Sequence, residues 1–132
     1  MTLIWISIAV IVVFAAYVRV APSDSARWHK MPDSVAEKDF AGGAMRVVAD
    51  ADKNALQQLD AIARAWPRTR VLTGAVDEGM ITYVTRTALW GFPDYTTVRL
   101  NDAQLELYGR LRFGRRDMGV NRARLEAWLR QL

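Results

Sequence analysis

The stretch QLELYGRLRF, residues 104–113, alternates apolar and polar side chains and decides the predicted architecture. Its apolar, inward positions are Leu105, Leu107, Leu111 and Phe113. Its polar, outward positions are Gln104, Glu106, Tyr108, Arg110 and Arg112. Because successive side chains of a strand point to opposite faces of a sheet, the alternation predicts a strand with one buried face and one wet face.

Further strand signals precede this stretch. Runs rich in β-branched and aromatic residues occupy 44–49, 69–76, 80–90 and 95–100. Turn-forming residues at 77–79, 91–94 and 101–102 separate the later runs, and such residues favour hairpin connections between strands. The pattern predicts five strands in an antiparallel sheet.

Two amphipathic helices complete the predicted domain. Residues 50–66 place Leu56, Leu59 and Trp66 on one face at helical spacing, and Pro67 ends the run. The last helix is expected to be capped by Asn121 and carries an apolar stripe formed by Leu125, Trp128, Leu129 and Leu132. The order βαββββα predicts an α+β domain of two layers, with both helices on one face of the sheet.

Residues 3–18, LIWISIAVIVVFAAYV, contain no charge and one polar side chain, Ser7. As a helix they cover about 24 Å, close to the roughly 30 Å hydrocarbon core of a bilayer. We expect residues 1–20 to form a transmembrane anchor, which makes the chain a single-pass protein of the cell (inner) membrane. A cleaved signal and a buried core helix are the alternatives. A signal peptide normally has basic residues before its apolar stretch, and none precedes Leu3. The side of the membrane stays open, because few basic residues flank the segment.

A tether is expected between the anchor and the domain. Residues 21–43 contain Pro22, Pro32, Gly42 and Gly43 without sustained periodicity, which is typical of an extended segment that crosses a domain surface. The predicted organisation is therefore an anchor at 1–20, a tether at 21–43 and a domain at 44–132.

The composition narrows the possible chemistry. The chain has no cysteine, which excludes disulfides, thiolate zinc sites and cysteine nucleophiles. Its single histidine, His29, leaves little room for a histidine-rich metal site or a Ser-His-Asp system within one chain. We predict no catalytic residue, no metal and no cofactor, and we leave an enzymatic role as the less favoured reading.

The positive charge is concentrated near the carboxyl terminus. The whole chain carries a net charge of +4, and residues 109–128 alone carry six arginines against two acids. Arg122 and Arg124 fall in the first turn of the last helix, where positive side chains oppose the helix dipole. That placement indicates an anion nearby, either a carboxylate of the domain or an external group.

Two interpretations of these residues stay open. In the favoured one, Arg110, Arg115, Arg116 and Arg122 are free to contact anionic lipid headgroups or a partner protein, while nucleic acid is not an expected partner. In the other, Asp94, Asp117 and Arg112 converge in a cleft and form the site of an enzyme or a small-ligand binder. The set assigned to a structural corner or a possible ligand site comprises Asp94, Arg112, Gly114, Asp117, Gly119, Asn121 and Arg124.

The stretch LYGRLRFGRRDMGVNRAR resembles the carboxy-terminal signature of the bacterial and plastid family called domain of unknown function 1499. The matching positions are Arg112, Gly114, Asp117, Gly119, Asn121 and Arg124, and GFPDY at 91–95 resembles the family's Phe-x-Asp element. The two serines of the family pattern correspond here to Gly109 and Leu111, so any role of those hydroxyls is absent. The resemblance covers roughly residues 44–132 and implies a membrane segment or export signal, while it brings no assigned reaction.

Overall fold

The computed structural model describes residues 1–132. The helices are α1 (Thr2–Val20), α2 (Ser25–Trp28), α3 (Lys53–Ala65) and α4 (Val120–Gln131). The strands are β1 (Lys38–Phe40), β2 (Gly43–Val48), β3 (Thr69–Ala75), β4 (Met80–Arg86), β5 (Pro93–Asn101) and β6 (Gln104–Leu111). A 3₁₀ turn, Val76–Glu78, joins β3 to β4.

The six strands form one antiparallel sheet in the order β1-β2-β6-β5-β4-β3. The β6 strand, which contains the alternating stretch, lies between β2 and β5. In its register Leu107 is opposite Arg46 on β2 and Val98 on β5. The α+β class predicted from the alternation is confirmed.

Helices α3 and α4 cover one face of the sheet, which we call the helix face. Asp52 begins α3, because its carboxylate accepts the backbone N–H of Ala55 at 3.0 Å. A single apolar core lies between the helices and the sheet. Its largest fully buried members are Leu56, Leu59, Ile81, Tyr83, Leu105, Leu107, Leu125 and Trp128.

The first strand lies in the segment that was expected to be a tether. Residues Lys38–Phe40 show no alternation of their own, and they form β1 because they pair with β2. An ion pair of 2.7 Å between Arg46 and Asp39 joins the two strands, and Arg46 also contacts Glu126 on α4 at 3.0 Å. Long-range pairing of this kind is not encoded in the local pattern.

The expectation of a wet second sheet face is wrong over its central part. Residues 22–29 of the tether cross that face, and the Trp28 ring stacks on Tyr95 with 4.0 Å between ring centroids. Ser23 Oγ and Tyr95 OH lie 2.7 Å apart, and His29 Nδ1 lies 2.8 Å from Thr82 Oγ1. The tether is therefore a third layer of the domain.

Helix α1 is long and apolar enough to cross a membrane, with a mean hydropathy of 2.4. Its last turns pack on the domain, where Val18 is buried and its carbonyl accepts from Arg86 Nη1 at 3.0 Å. Phe113, which was expected in the sheet core, instead packs on this helix. Its ring centroid lies 6.3 Å from those of both Phe14 and Tyr17.

Candidate functional site

The end of the domain that meets α1 is the candidate functional site, and we call it the anchor-side edge. It consists of the loop 87–92 between β4 and β5 and the turn 112–119 between β6 and α4. Strands β4 and β6 end here and β5 begins here, because neighbouring strands are antiparallel. Both connections therefore leave the sheet beside the carboxyl end of α1.

Three arginines surround the point where α1 meets the domain. Arg19 donates to the Leu89 carbonyl. Arg86 donates to the carbonyls of Val18 and Gly91 at 3.0 and 2.8 Å. Arg112 donates to the Pro22 carbonyl at 2.8 Å. Their hydrogen bonds go to neutral oxygens, so the positive charges remain uncompensated by carboxylates at this edge.

Arg115 and Arg116 are exposed in the turn after Phe113, and neither forms an ion pair. Arg122 is half exposed and lies 3.7 Å from Asp39. Three of the four residues that were expected to contact an anion or a partner are therefore accessible. Their accessibility permits such a contact, and whether they make it stays a prediction.

Arg110 is the fourth of these residues, and the expectation that it is free to contact an anion or a partner is wrong. It is only 7% exposed, since the tether covers it. Its guanidinium donates to Thr97 Oγ1 at 2.7 Å and to the Trp28 carbonyl. Burial lowers the pKa of Arg110 to about 10. Strand alternation correctly placed Arg110 opposite the helices, but no local signal showed that Trp28 would return to cover it.

The structural corner is a chain of hydrogen bonds at the start of α4. The Asp117 carboxylate accepts the backbone N–H groups of Gly119 and Asn121 at 3.0 and 2.9 Å. Asp117 therefore serves as the side-chain cap, which was expected of Asn121. Asn121 is fully buried and donates Nδ2 to Asp117 at 2.9 Å, while its Oδ1 accepts from Arg124 Nη1 at 2.8 Å.

Arg124 extends this chain to the sheet. Its Nη2 lies 3.2 Å from Asp94 Oδ2, and the two side chains are each 7% exposed. Burial raises the pKa of Asp94, and the Arg124 charge opposes that rise. The basic residues in the first turn of α4 were expected to have an anion nearby. For Arg124 this anion is the Asp94 carboxylate of the domain itself.

Glycine at position 109 makes room for this corner. A Cβ atom there would lie 3.1 Å from Asn121 Oδ1, a tighter contact than most Cβ atoms make, so the fully buried Asn121 would have to shift. Gly114 and Gly119 have φ angles of +97° and +77°, which favour glycine, and they shape the turn that carries Asp117.

The alternative site of Asp94, Asp117 and Arg112 does not form. The two aspartates belong to the corner on the helix face, whereas Arg112 lies on the opposite face near the tether, 3.2 Å from Tyr95 OH. The Asp117 carboxylate is occupied by the turn. The structure therefore offers no cleft into which these three side chains point together. No group of three or more histidine, aspartate or glutamate side chains is arranged to hold a metal ion.

Sequence reasoning missed Arg68, Arg70 and Arg86. They come from the start of β3 and the end of β4, which antiparallel pairing brings to the same sheet end. None of them forms an ion pair. Only the strand register would have shown that they come from the sheet end beside α1.

Comparison with known proteins gives one match. A family model described as "Protein of unknown function (DUF1499)" matches residues 23–132. No curated protein and no solved structure matches the chain. The matched region begins in the tether, which agrees with the packing of residues 22–29 on the sheet.

Proposed function

Because this chain belongs to the DUF1499 family, whose description assigns no reaction, we propose a function from the geometry of the anchor-side edge. The protein is a noncatalytic module that α1 anchors in a membrane, and its anchor-side edge rests on the bilayer and contacts anionic headgroups. The observation that carries the proposal is the packing of Phe113 on α1, because it holds the arginine-rich turn beside the anchor.

The exposed surface of α1 supports an anchoring role. Only 6% of the most apolar part of this 19-residue helix is buried inside the protein. An apolar surface of this extent is unfavourable in water, and the hydrocarbon core of a bilayer would cover it. The buried exception, Val18, marks the level at which the domain begins.

The loop 87–92 supports a close approach to the membrane. Leu89 and Trp90 are 73% and 48% exposed, which is unusual for large apolar side chains. Together with Phe92, Trp90 lines an apolar hollow of about 420 Å³ against Val10 and Phe14 of α1. Since these positions lie one to three turns before the end of α1, a bilayer that surrounds α1 also reaches the loop.

The charges of the edge favour anionic headgroups as the contact. Arg115 and Arg116 follow Phe113 by two and three residues, so their Cα atoms lie at most about 11 Å from that of Phe113, whose ring packs on α1. The electrostatic attraction of a cationic side chain to an anionic bilayer is worth about 1 kcal/mol, and it decays over a Debye length of about 8 Å. Contact with an acidic partner protein would instead be independent of lipid composition.

We expect Arg115→Gln combined with Arg116→Gln to remove most of the response of the edge to anionic lipid. Full-length protein with Met118→Cys, an exposed position, is labelled with an environment-sensitive fluorophore and reconstituted in vesicles of phosphatidylcholine with or without phosphatidylglycerol. Emission should shift to the blue only in the anionic vesicles. The double variant should lose this shift, because the two arginines contribute about 2 kcal/mol of attraction to the anionic surface. High salt should have the same effect as the double variant.

Lys53→Gln provides the matched control, because Lys53 is an exposed cation at the start of α3, at the far end of the sheet. It should leave the lipid response unchanged. Equal emission in neutral and anionic vesicles would contradict headgroup contact, and an equal loss in the control would show that only the net charge matters.

A further inference from the structure

We propose that one phospholipid binds in the apolar hollow between α1 and the loop 87–92, with an acyl chain in the hollow and its phosphate group on Arg19. The inference rests on the proposed membrane anchoring. It concerns a different surface from Arg115 and Arg116, and it predicts a lipid that is held by shape in neutral and anionic bilayers alike.

The hollow is apolar along its whole length, with a volume of about 420 Å³. Its seven lining residues are all hydrophobic, and they are Val10, Ile11, Phe14, Ala15, Val18, Trp90 and Phe92. The α1 wall runs from residue 10 to residue 18, about 12 Å along the helix axis. An acyl chain parallel to α1 would therefore contact both the helix and the loop, whereas the neighbouring hollow at Ala9 and Val13 is formed by α1 alone.

An acyl chain suits this hollow better than a second helix does. Transmembrane helices pack closely where small residues let their backbones approach. The α1 wall instead carries Val10, Ile11 and Phe14 beside one small residue, Ala15. Lipid tails are as apolar as this wall, so attraction within the bilayer comes from van der Waals contact. A thin, flexible chain follows an irregular wall more closely than a helix at least about 10 Å across.

Arg19 lies at the domain end of the hollow. It follows the lining residue Val18 and lies four residues after the lining residue Ala15. Its side chain runs along the loop, because Nη2 donates to the Leu89 carbonyl and a Cβ atom at Gly91 would lie 3.1 Å from its Cγ. Its Nε and Nη1 have no acceptor in the protein, and no carboxylate pairs with it. Arg19 therefore has donors left for a phosphate oxygen.

The dipole of α1 does not prevent a phosphate from binding here. The carboxyl end of a helix repels an anion. Arg86 offsets this effect, because it donates to the carbonyls of Val18 and Gly91 at 3.0 and 2.8 Å. Arg19 is itself a cation in the last turn of α1, and a long cationic side chain at the end of a membrane segment reaches the level of the phosphate groups. The charges at this end of α1 therefore favour an anion.

Electron paramagnetic resonance detects the bound lipid directly. The full-length chain is reconstituted in phosphatidylcholine vesicles that contain a small fraction of phosphatidylcholine spin-labelled on one acyl chain. Flotation of the vesicles in alkaline carbonate first shows that the chain is anchored. A lipid held in the hollow exchanges slowly and adds a motionally restricted component to the spectrum. We expect this component to increase in proportion to the protein, at the level of a single lipid per chain.

Ala15→Phe is the main variant, because its ring would occupy the space that the acyl chain needs. It should abolish the restricted component. Ala9→Phe is the matched control, since it adds the same ring to α1 beside the neighbouring hollow, and it should leave the component unchanged. Arg19→Gln should lower the ratio of restricted to free lipid about fivefold, the value of one charge near a phosphate layer. Arg115→Gln, which lies outside the hollow, should not lower it.

Absence of the restricted component in the anchored wild type, or an equal loss in Ala9→Phe, would overturn the site. An unchanged ratio in Arg19→Gln would overturn the phosphate contact. Energy transfer between labelled chains that Ala15→Phe abolishes would show a second copy in the hollow and overturn the lipid. A chain that does not float would contradict anchoring itself, whereas failure of the headgroup contact would appear only in the experiment at position 118.

Discussion

Replacing Arg124 with methionine is expected to lower the free energy of unfolding by about 3–5 kcal/mol, the usual cost of breaking a buried ion pair. The substitution leaves the Asp94 carboxylate buried without its counter-ion. It also removes the donor that satisfies Asn121 Oδ1. Chemical denaturation of the full-length chain in neutral detergent, followed by circular dichroism, measures the difference.

The destabilisation should depend on pH. Burial raises the pKa of Asp94 in the folded protein, and loss of the Arg124 charge raises it further. A carboxyl group whose pKa is raised by folding costs stability when it ionises in the folded protein. The protein is therefore most stable below the unfolded pKa, and that stability is lost as the pH rises through the folded pKa. The deficit of Arg124→Met should therefore be largest at neutral pH and shrink as the pH falls toward about 4.

The double variant Asp94→Asn with Arg124→Met separates charge from packing. It leaves no buried charge, so it should recover a substantial part of the stability that Arg124→Met loses at neutral pH. A deficit below about 1 kcal/mol, or one that does not change with pH, would show that Asp94 and Arg124 do not form a desolvated pair.

Trp128→Ala is expected to have a similarly large effect, about 3–5 kcal/mol, because it opens a cavity between α4 and the sheet. Trp128 is fully buried, and its ring packs edge-on against Tyr83 and Trp66 at centroid distances of 5.7 and 6.3 Å. These contacts fasten the last helix to the core and so also hold the corner in place. The same denaturation experiment measures the loss.

Trp128→Phe is the matched control. The indole Nε1 is buried without a hydrogen-bond partner, so replacing it removes an unsatisfied donor while most of the ring is kept. Phenylalanine still leaves a cavity, but a smaller one than alanine, and removal of the unsatisfied N–H donor partly offsets its cost. We therefore expect Trp128→Phe to lose less than half as much stability as Trp128→Ala. Equal losses in the two variants would contradict a loss that depends on the size of the cavity.

Local patterns were sufficient to predict the sheet and the layer of two helices on one of its faces. The alternation of β6 and the helical spacing of Leu56 and Leu59 report which side chains are buried, because burial alternates with the period of the element. The corner was also accessible, since Asp117, Asn121 and Arg124 lie three or four residues apart and meet at one helix start.

Contacts between distant segments were not accessible from the sequence. Alternation separates the two faces of a sheet, but it does not reveal that Trp28 covers the second face and buries Arg110. The edge arginines Arg68 and Arg86 lie 18 positions apart and meet through the backbone of β4, where Arg68 Nε donates to the Arg86 carbonyl. Such clusters depend on register and chain return, which a single sequence does not show.

The depth of the loop 87–92 in a bilayer is the most direct test of whether the anchor-side edge rests on the membrane. Since the chain has no cysteine, a spin label can be placed at Leu89→Cys in the full-length protein, and at Asp102→Cys as a control in the turn after the nine-residue strand β5. In vesicles, the label at position 89 should be accessible to oxygen and protected from a water-soluble nickel chelate, while the label at 102 should show the reverse. Equal exposure of both labels to the nickel chelate would contradict a domain whose anchor-side edge rests on the membrane.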